Sequence, residues 1–291
     1  YEGTRRHFRR LFESLVDQPY ANLECVVVDS SRQPFLETTA SNAEWITYVA
    51  SEPEGVAAGT NEAIEHASGE ILAILDDDDF VTDRRFPETV EAIRDGADVV
   101  YGDVYDLDDE TGETSYRTAM VPDETTELWL DFFRYDGLAG SVPAGSVAFR
   151  AECVADERFD ETLAGGEDYH LWVRLFERYH VTYVSEPLAV MRQHDDSLSS
   201  DPENRLRAIE SLTDRYPELR QHADERKRLE RYDYARNLLF DGRVGEAREI
   251  FTELFRDGYR RAGVMGAISI LPFGHERVVR TLDRLRDVVV G

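Results

Sequence analysis

The sequence predicts a doubly wound α/β sheet followed by an all-helical region. Three observations carry this: apolar runs of strand length, helical periodicity between them, and the loss of strand signals after about residue 201. Apolar residues recur at helical spacing over residues 4–16, and LECVVVD at 23–29 reads as a buried strand. A second strand falls at 45–50, an Ala-rich helix at 55–67 and a third strand at 71–75. A helix at 83–94 then leads to a strand at 98–105. Strands alternating with helices require crossover connections, hence a mostly parallel sheet flanked by helices. The DDETGE run within 106–113 reads as a hairpin turn. A helix at 127–135, a short strand at 145–149, a helix at 166–178 and short strands at 181–184 and 188–191 complete the pattern. Residues 1–200 are thus expected to form one domain and 201–291 a helical region. Within the latter, residues 234–255 fit one tetratricopeptide-like helix-turn-helix with Gly242 at the turn, or a helical cap.

The formal net charge of −27 is spread along the 291 residues rather than gathered in a tail. Lys227 is the only lysine, a balance resembling that of a halophilic archaeon's proteins, whose acidic surfaces stay soluble in concentrated salt. Such a field excludes non-specific nucleic-acid binding and opposes attraction to anionic lipid. Cys25 and Cys153 lack metal-ligand spacing and indicate a reducing compartment. No apolar stretch is long enough for a transmembrane segment and no signal peptide is visible, so a cytoplasmic location is expected. The chain opens on Tyr1 rather than Met, and a segment preceding it is expected.

Chemistry concentrates in three places. Residues 71–80, ILAILDDDDF, put four aspartates at the carboxyl end of a strand, where open α/β sheets bind ligands. Clustered carboxylates there suit a hard divalent cation that holds phosphate oxygens. Gly165 and Gly166, which permit close backbone approach, precede Glu167 and Asp168 at a helix start. That acid pair is either catalytic or simply favoured by the helix dipole. In RQHDDSLSS, the imidazole of His194 could ligate Mn²⁺, less readily Mg²⁺, while Arg192 and Ser199 could meet phosphate.

Four segments stand in a telling order: VVVDSS, EGVAAGTNEAIEHASGEILAILDDDDF, FRAECVADERFDETLAGGEDYHLWVRL and EPLAVMRQHDDSLSS. Together they resemble the family 2 glycosyltransferases, of GT-A fold, over roughly residues 1–200. The resemblance implies an inverting, metal-dependent transfer of a sugar from a nucleotide-sugar donor, UDP- or dTDP-linked, to a saccharide or lipid-linked saccharide acceptor. Asp29 would contact the donor's base or ribose, and Asp76 the nucleotide and ribose. Asp78 and His194 would hold the divalent metal, Mn²⁺ or Mg²⁺, with Asp77 and Asp79 in support. Asp168 would be the general base, Glu167 beside it would bind substrate, and Arg192 would bind substrate on the phosphate side. An acceptor of this kind would place the enzyme at the inner membrane face.

The match has departures. Ser30 stands where a second acid is usual, and Gly59-Thr60 replaces an Ala-Arg pair before Asn61. A first strand expected before Tyr1 is absent. Residues 120–142, with Trp129, Phe132, Phe133 and Tyr135, are expected to form the acceptor-side wall, and Trp172 to be core. Two other readings compete. Gly3-Thr4-Arg5 echoes a sugar-nucleotidyltransferase turn, although the lone lysine is far away. A degenerate transferase kept as a binding module would not need a base such as Asp168.

Overall fold

The computed structural model describes residues 2–30, 43–52, 55–109, 111–122, 127–135, 142–193, 202–240 and 242–269. The chain divides into two compact units, Tyr1–Leu198 and Ser199–Gly291.

In the first unit, helix α1 (Glu2–Val16) presents Phe8, Leu11 and Leu15 to the interior at the expected helical spacing. Strands β1 (Cys25–Asp29) and β2 (Ile46–Ala50) pair in parallel as a two-stranded sheet. Helix α2 (Val56–His66) leads to β3 (Ile71–Ala73). The Glu24 carboxylate accepts the N–H groups of Ser68 and Gly69, both at 2.6 Å, tying the start of β1 to the turn before β3. Strand β4 (Phe80–Val81), helix α3 (Arg85–Arg94) and the long strand β5 (Val99–Asp108) follow. Strand β6 (Thr114–Arg117) returns from β5 through the expected hairpin, where Asp108 N–H meets the Glu113 carbonyl at 3.0 Å. Helix α4 (Leu128–Tyr135), strand β7 (Ala148–Arg150), helix α5 (Glu167–Arg178) and strand β8 (Val181–Gln193) complete the unit.

The larger sheet runs β3-β7-β5-β8-β4, with β6 added to β5. Parallel pairing holds the longer ladders, β1 with β2 and β5 with β8, while short strands contribute the antiparallel ones. The α/β class is as expected, but among the described strands the larger sheet is mixed and not mostly parallel, since β5–β8 is its one parallel pairing beside four antiparallel ones. Two local expectations are also corrected. The expected strands at 181–184 and 188–191 are one strand, β8. Pro187, which has no N–H to donate, falls where the β5–β8 register shifts beside Asp103, so the ladder bulges there instead of ending. The expected strand at 145–149 begins as a 3₁₀ turn, Ala144–Ser146, in which the buried Ser146 hydroxyl bonds back to the Pro143 carbonyl at 2.9 Å.

The core lies on β5 and α5. Val99, Val100, Tyr101 and Val104 are buried, as are Leu171, Trp172, Val173 and Leu175. Trp172 is core as expected. Phe132 and Phe133 are also buried and pack their rings on Tyr169, with Phe132 also against Phe176. These two rings therefore back α5 and do not form the acceptor-side wall expected of them. Burial pushes both thiols up to about 11, so Cys25 and Cys153 stay protonated and are not nucleophiles at neutral pH.

The second unit is helical throughout its described residues: α6 (Pro202–Arg215), α7 (Arg220–Phe240), α8 (Val244–Arg256) and α9 (Arg260–Ile268). Gly242, at φ 74°, turns the chain between α7 and α8. Ala235, Leu238, Leu239, Ala247, Phe251, Leu254, Ala262 and Met265 form one apolar cluster across the last three helices.

Candidate active site

Beyond β3 the chain leaves the sheet as a tight turn, with Asp79 N–H directed at the Asp76 carbonyl at 3.4 Å. The turn is pinned from behind. Val81 N–H donates to the Ser14 hydroxyl at 3.2 Å, and Gln18 Nε2 donates to the Thr82 carbonyl at 3.1 Å. Carboxylate atoms of Asp76, Asp78 and Asp79 come within 4.8 Å of one another, with Asp76 exposed, Asp78 intermediate and Asp79 buried. Two ligands on opposite sides of a Mg²⁺-sized ion stand about 4 Å apart, so three hard oxygens in this arrangement fit a divalent cation.

Strand β8 ends over this turn. The main-chain N–H of Arg192 donates to Asp79 Oδ1 at 2.8 Å, and its Nε donates to the Asp78 carbonyl at 3.0 Å. Its Nη1 is bonded to Asp109 at the tip of the β5–β6 hairpin. The Arg192 side chain is only 3% exposed, so its guanidinium is turned onto protein groups.

The second acidic pair opens α5. Gly166, the residue preceding the helix, lies in the left-handed region at φ 73°, so the chain turns sharply into Glu167 and Asp168 in the first helical turn. Tyr169 N–H donates to Asp168 Oδ1 at 2.6 Å, satisfying one of the amides a helix start leaves open. The loop before it is clamped. Asn61 on α2 donates to the Phe159 carbonyl and accepts from Phe159 N–H, both at 3.0 Å, and donates to Glu161 at 2.8 Å. Arg174 is bonded to Glu157 and to the Arg158 carbonyl, and Arg178 pairs with Glu157 at 2.7 Å. Asn61 thus acts as a loop clamp within the described structure.

The two acidic regions converge. Burial, then the charges of Asp78, Asp168, Asp77 and Glu167 in that order, push the Asp76 carboxyl up to about 7. Burial likewise raises Asp79 to about 8, opposed by the hydrogen bond from Arg192 and helped by the charges of Asp76 and Asp78. Burial and crowding favour the protonated forms of Asp76 and Asp79, and a bound cation would relieve the same repulsion. These features can bind a cation with phosphate and, beside it, offer Asp168 as a base.

Of the residues singled out from sequence, Asp76, Asp78, Glu167 and Asp168 are brought together, and Arg192 borders Asp78 and Asp79. Asp29 is at the end of β1, 8% exposed, where its carboxylate accepts the Tyr48 hydroxyl at 2.9 Å. His194 and Ser199 lie outside the described residues. Sequence reasoning missed Asp109 and the clamping role of Asn61. Asp109 reads as an ordinary acid in a hairpin turn, and only tertiary packing sets it against Arg192.

The model of glycosyl transferase family 2 matches residues 6–151. An uncharacterized glycosyltransferase of Rickettsia typhi is 26% identical over 221 residues, covering 73% of this chain and 67% of the relative. Another, from Haemophilus influenzae, is 23% identical over 213 residues, covering 71% of each. A crystal structure of residues 1–349 of S. aureus TarS in complex with UDP-GlcNAc superposes with a TM-score of 0.58 at 17% identity. That match covers 72% of this chain and 63% of TarS 1–349, so the chain spans less than two thirds of that protein. At this identity the likeness shows the fold, which is the GT-A fold of the TarS structures. With half of its length matched by the family model, this chain belongs to glycosyl transferase family 2.

Proposed function

We propose that this protein is an inverting, metal-dependent glycosyltransferase that moves a sugar from a nucleotide-diphosphate donor, UDP-linked by preference, to a saccharide or lipid-linked saccharide. The convergence of the acidic turn and the α5 start at Asp76 carries this reading. The TarS complex with UDP-GlcNAc supports a UDP-sugar as donor. A divalent cation held by Asp78, with Asp76 and Asp79, would neutralise the diphosphate as it leaves. Asp168 accepts the proton of the acceptor hydroxyl as that oxygen attacks the anomeric carbon, opposite the departing diphosphate, and the configuration inverts. Glu167 adds negative charge beside the base, and Asp29 meets the base or ribose of the donor. His194 joins the metal site in this reading. Residues 1–200 would form the transferase domain, with 201–291 an appended helical domain. Among the described residues, no helix is long and apolar enough to cross a membrane. A lipid-linked acceptor would be met from the cytoplasmic face.

Calorimetric titration of UDP and dTDP, with and without Mn²⁺ in molar KCl, tests this. Mn²⁺-dependent UDP binding that disappears in Asp78→Ala is the expected result. Absence of nucleotide binding under every metal condition would overturn the reading in favour of a non-catalytic module.

A further inference from the structure

Arg192 lies beside the acidic turn, and among the described residues its polar contacts link that turn to the β5–β6 hairpin. Its main-chain N–H fixes Asp79 Oδ1 at 2.8 Å, and its Nε fixes the Asp78 carbonyl at 3.0 Å. One residue at the end of β8 therefore grips the acidic turn at two consecutive positions. The far end of the guanidinium is bonded to Asp109, whose other carboxylate oxygen faces His7 Nε2 of α1 at 3.7 Å. The Arg192 side chain is 3% exposed and bonded through both Nε and Nη1, so these donors are already committed to protein acceptors. Asp109 is 25% exposed at its side chain and comes from a hairpin 30 residues further along the chain than Asp79, so the link is tertiary.

We propose that Asp109 and Arg192 form a strap that positions Asp78 and Asp79 for the cation, Arg192 acting as a positioning residue and not as a phosphate contact. The strap rests on the reading of the turn as a metal site. Groups behind metal ligands set ligand orientation, and removing them weakens metal affinity by ~10-fold or more. Arg192→Lys keeps the charge and the main-chain bond to Asp79 but loses the side-chain link between the Asp78 carbonyl and Asp109. Asp109→Asn keeps the shape and loses the charge that holds the guanidinium.

The experiment compares the full chain with Asp109→Asn, Arg192→Lys and the double variant, with two readouts. One is Mn²⁺ affinity by electron paramagnetic resonance without nucleotide; the other is amide hydrogen exchange of residues 76–80 without metal. Each single variant should weaken Mn²⁺ binding by ~10-fold and speed exchange in that segment by a similar factor. The double variant should be no worse than the weaker-binding single variant, because the two residues act as one unit. Unchanged exchange and unchanged Mn²⁺ affinity, with metal-free UDP affinity lost in Arg192→Lys, would overturn the strap and make Arg192 a phosphate contact. The two readings fail separately. If the wild-type chain takes up no Mn²⁺ but Asp109→Asn still frees residues 76–80, the metal reading falls and the strap stands. If Mn²⁺ binds and neither variant alters affinity or exchange, the strap falls and the metal reading stands.

Discussion

The acidic turn at Asp76–Asp79 and the acidic pair at Glu167–Asp168 bring like charge to bear on Asp76, but they are held by different means. Between Leu75 and Val81, which pack with Leu11 and Leu15, the turn is held by polar contacts from α1 and β8, with Arg192 of β8 bonded in turn to Asp109. The pair sits on a helix whose following turns, from Tyr169 to Phe176, are buried in the aromatic core. On the proposed function, the turn would have to accept and release a cation with its diphosphate, whereas Asp168 as a base would have only to stay in place. The difference predicts separable failures, since damage to the turn should appear in binding and damage to the helix start in turnover.

The largest effects test that separation directly. Asp168→Asn should leave Mn²⁺-dependent UDP binding intact while slowing UDP release from a UDP-sugar by ~10²–10⁴-fold, the range of a lost general base. Asp78→Ala should do the reverse at the first step, removing metal-dependent UDP binding itself. Calorimetry paired with turnover on both variants is decisive. Equal losses of binding in the two would break the comparison and reduce the two regions to a single acidic patch.

Asn61→Ala reaches the base side from behind. It strips both main-chain partners from Phe159, a residue only 5% exposed, and each buried group left unpaired costs about 1–3 kcal/mol. The melting temperature should fall and kcat should drop by ~10-fold with the donor KM held, since a displaced reacting group is felt in turnover. A change in donor KM with kcat unchanged would instead place Asn61 on the donor side.

How far the sequence could be read follows from the same physics. Elements with one-dimensional signals were legible: β1, β3, α5 and the helical second unit follow apolar periodicity, and the acid clusters sit at element ends where motif order fixes them. What was not legible depends on partners distant in sequence. Strand β8 read as two pieces, 181–184 and 188–191, because one strand's sequence cannot show that the ladder bulges where Asp103 meets Pro187. Phe132 and Phe133 looked like a ligand wall because an apolar pair beside a site reads the same whether it faces ligand or core; Tyr169 decides it. The Asp109–Arg192 contact has no local signature at all.

Gly166→Ala is a milder test of the helix start. At φ 73° an alanine is strained by about 1 kcal/mol, and relief of that strain would shift Asp168 rather than the turn. A few-fold loss of kcat with Mn²⁺ affinity unchanged is expected. Weaker Mn²⁺ binding would mean that the two regions are mechanically coupled, against the separation drawn above.

Asp233, in the helical unit, supplies the control, because it shares the chemical symptom of Asp76 without the convergence. Burial raises its carboxyl to about 6, the Arg236 and Arg226 charges opposing and Glu230 adding to the shift. Arg236 donates to it at 3.2 Å, and its side chain is 25% exposed. A folded-state pKa above the unfolded value near 3.9 means that this group's contribution is full below about pH 4 and lost as pH rises through 6. Asp233→Asn should therefore raise stability at pH 7 by ~1 kcal/mol, discounted for partial exposure, and flatten the melting temperature between pH 4 and pH 7. UDP binding and turnover should not move. Were they to fall, a raised carboxyl in the helical unit would bear on transfer, and the distinction between a perturbed acid and a site made by converging acids would fail.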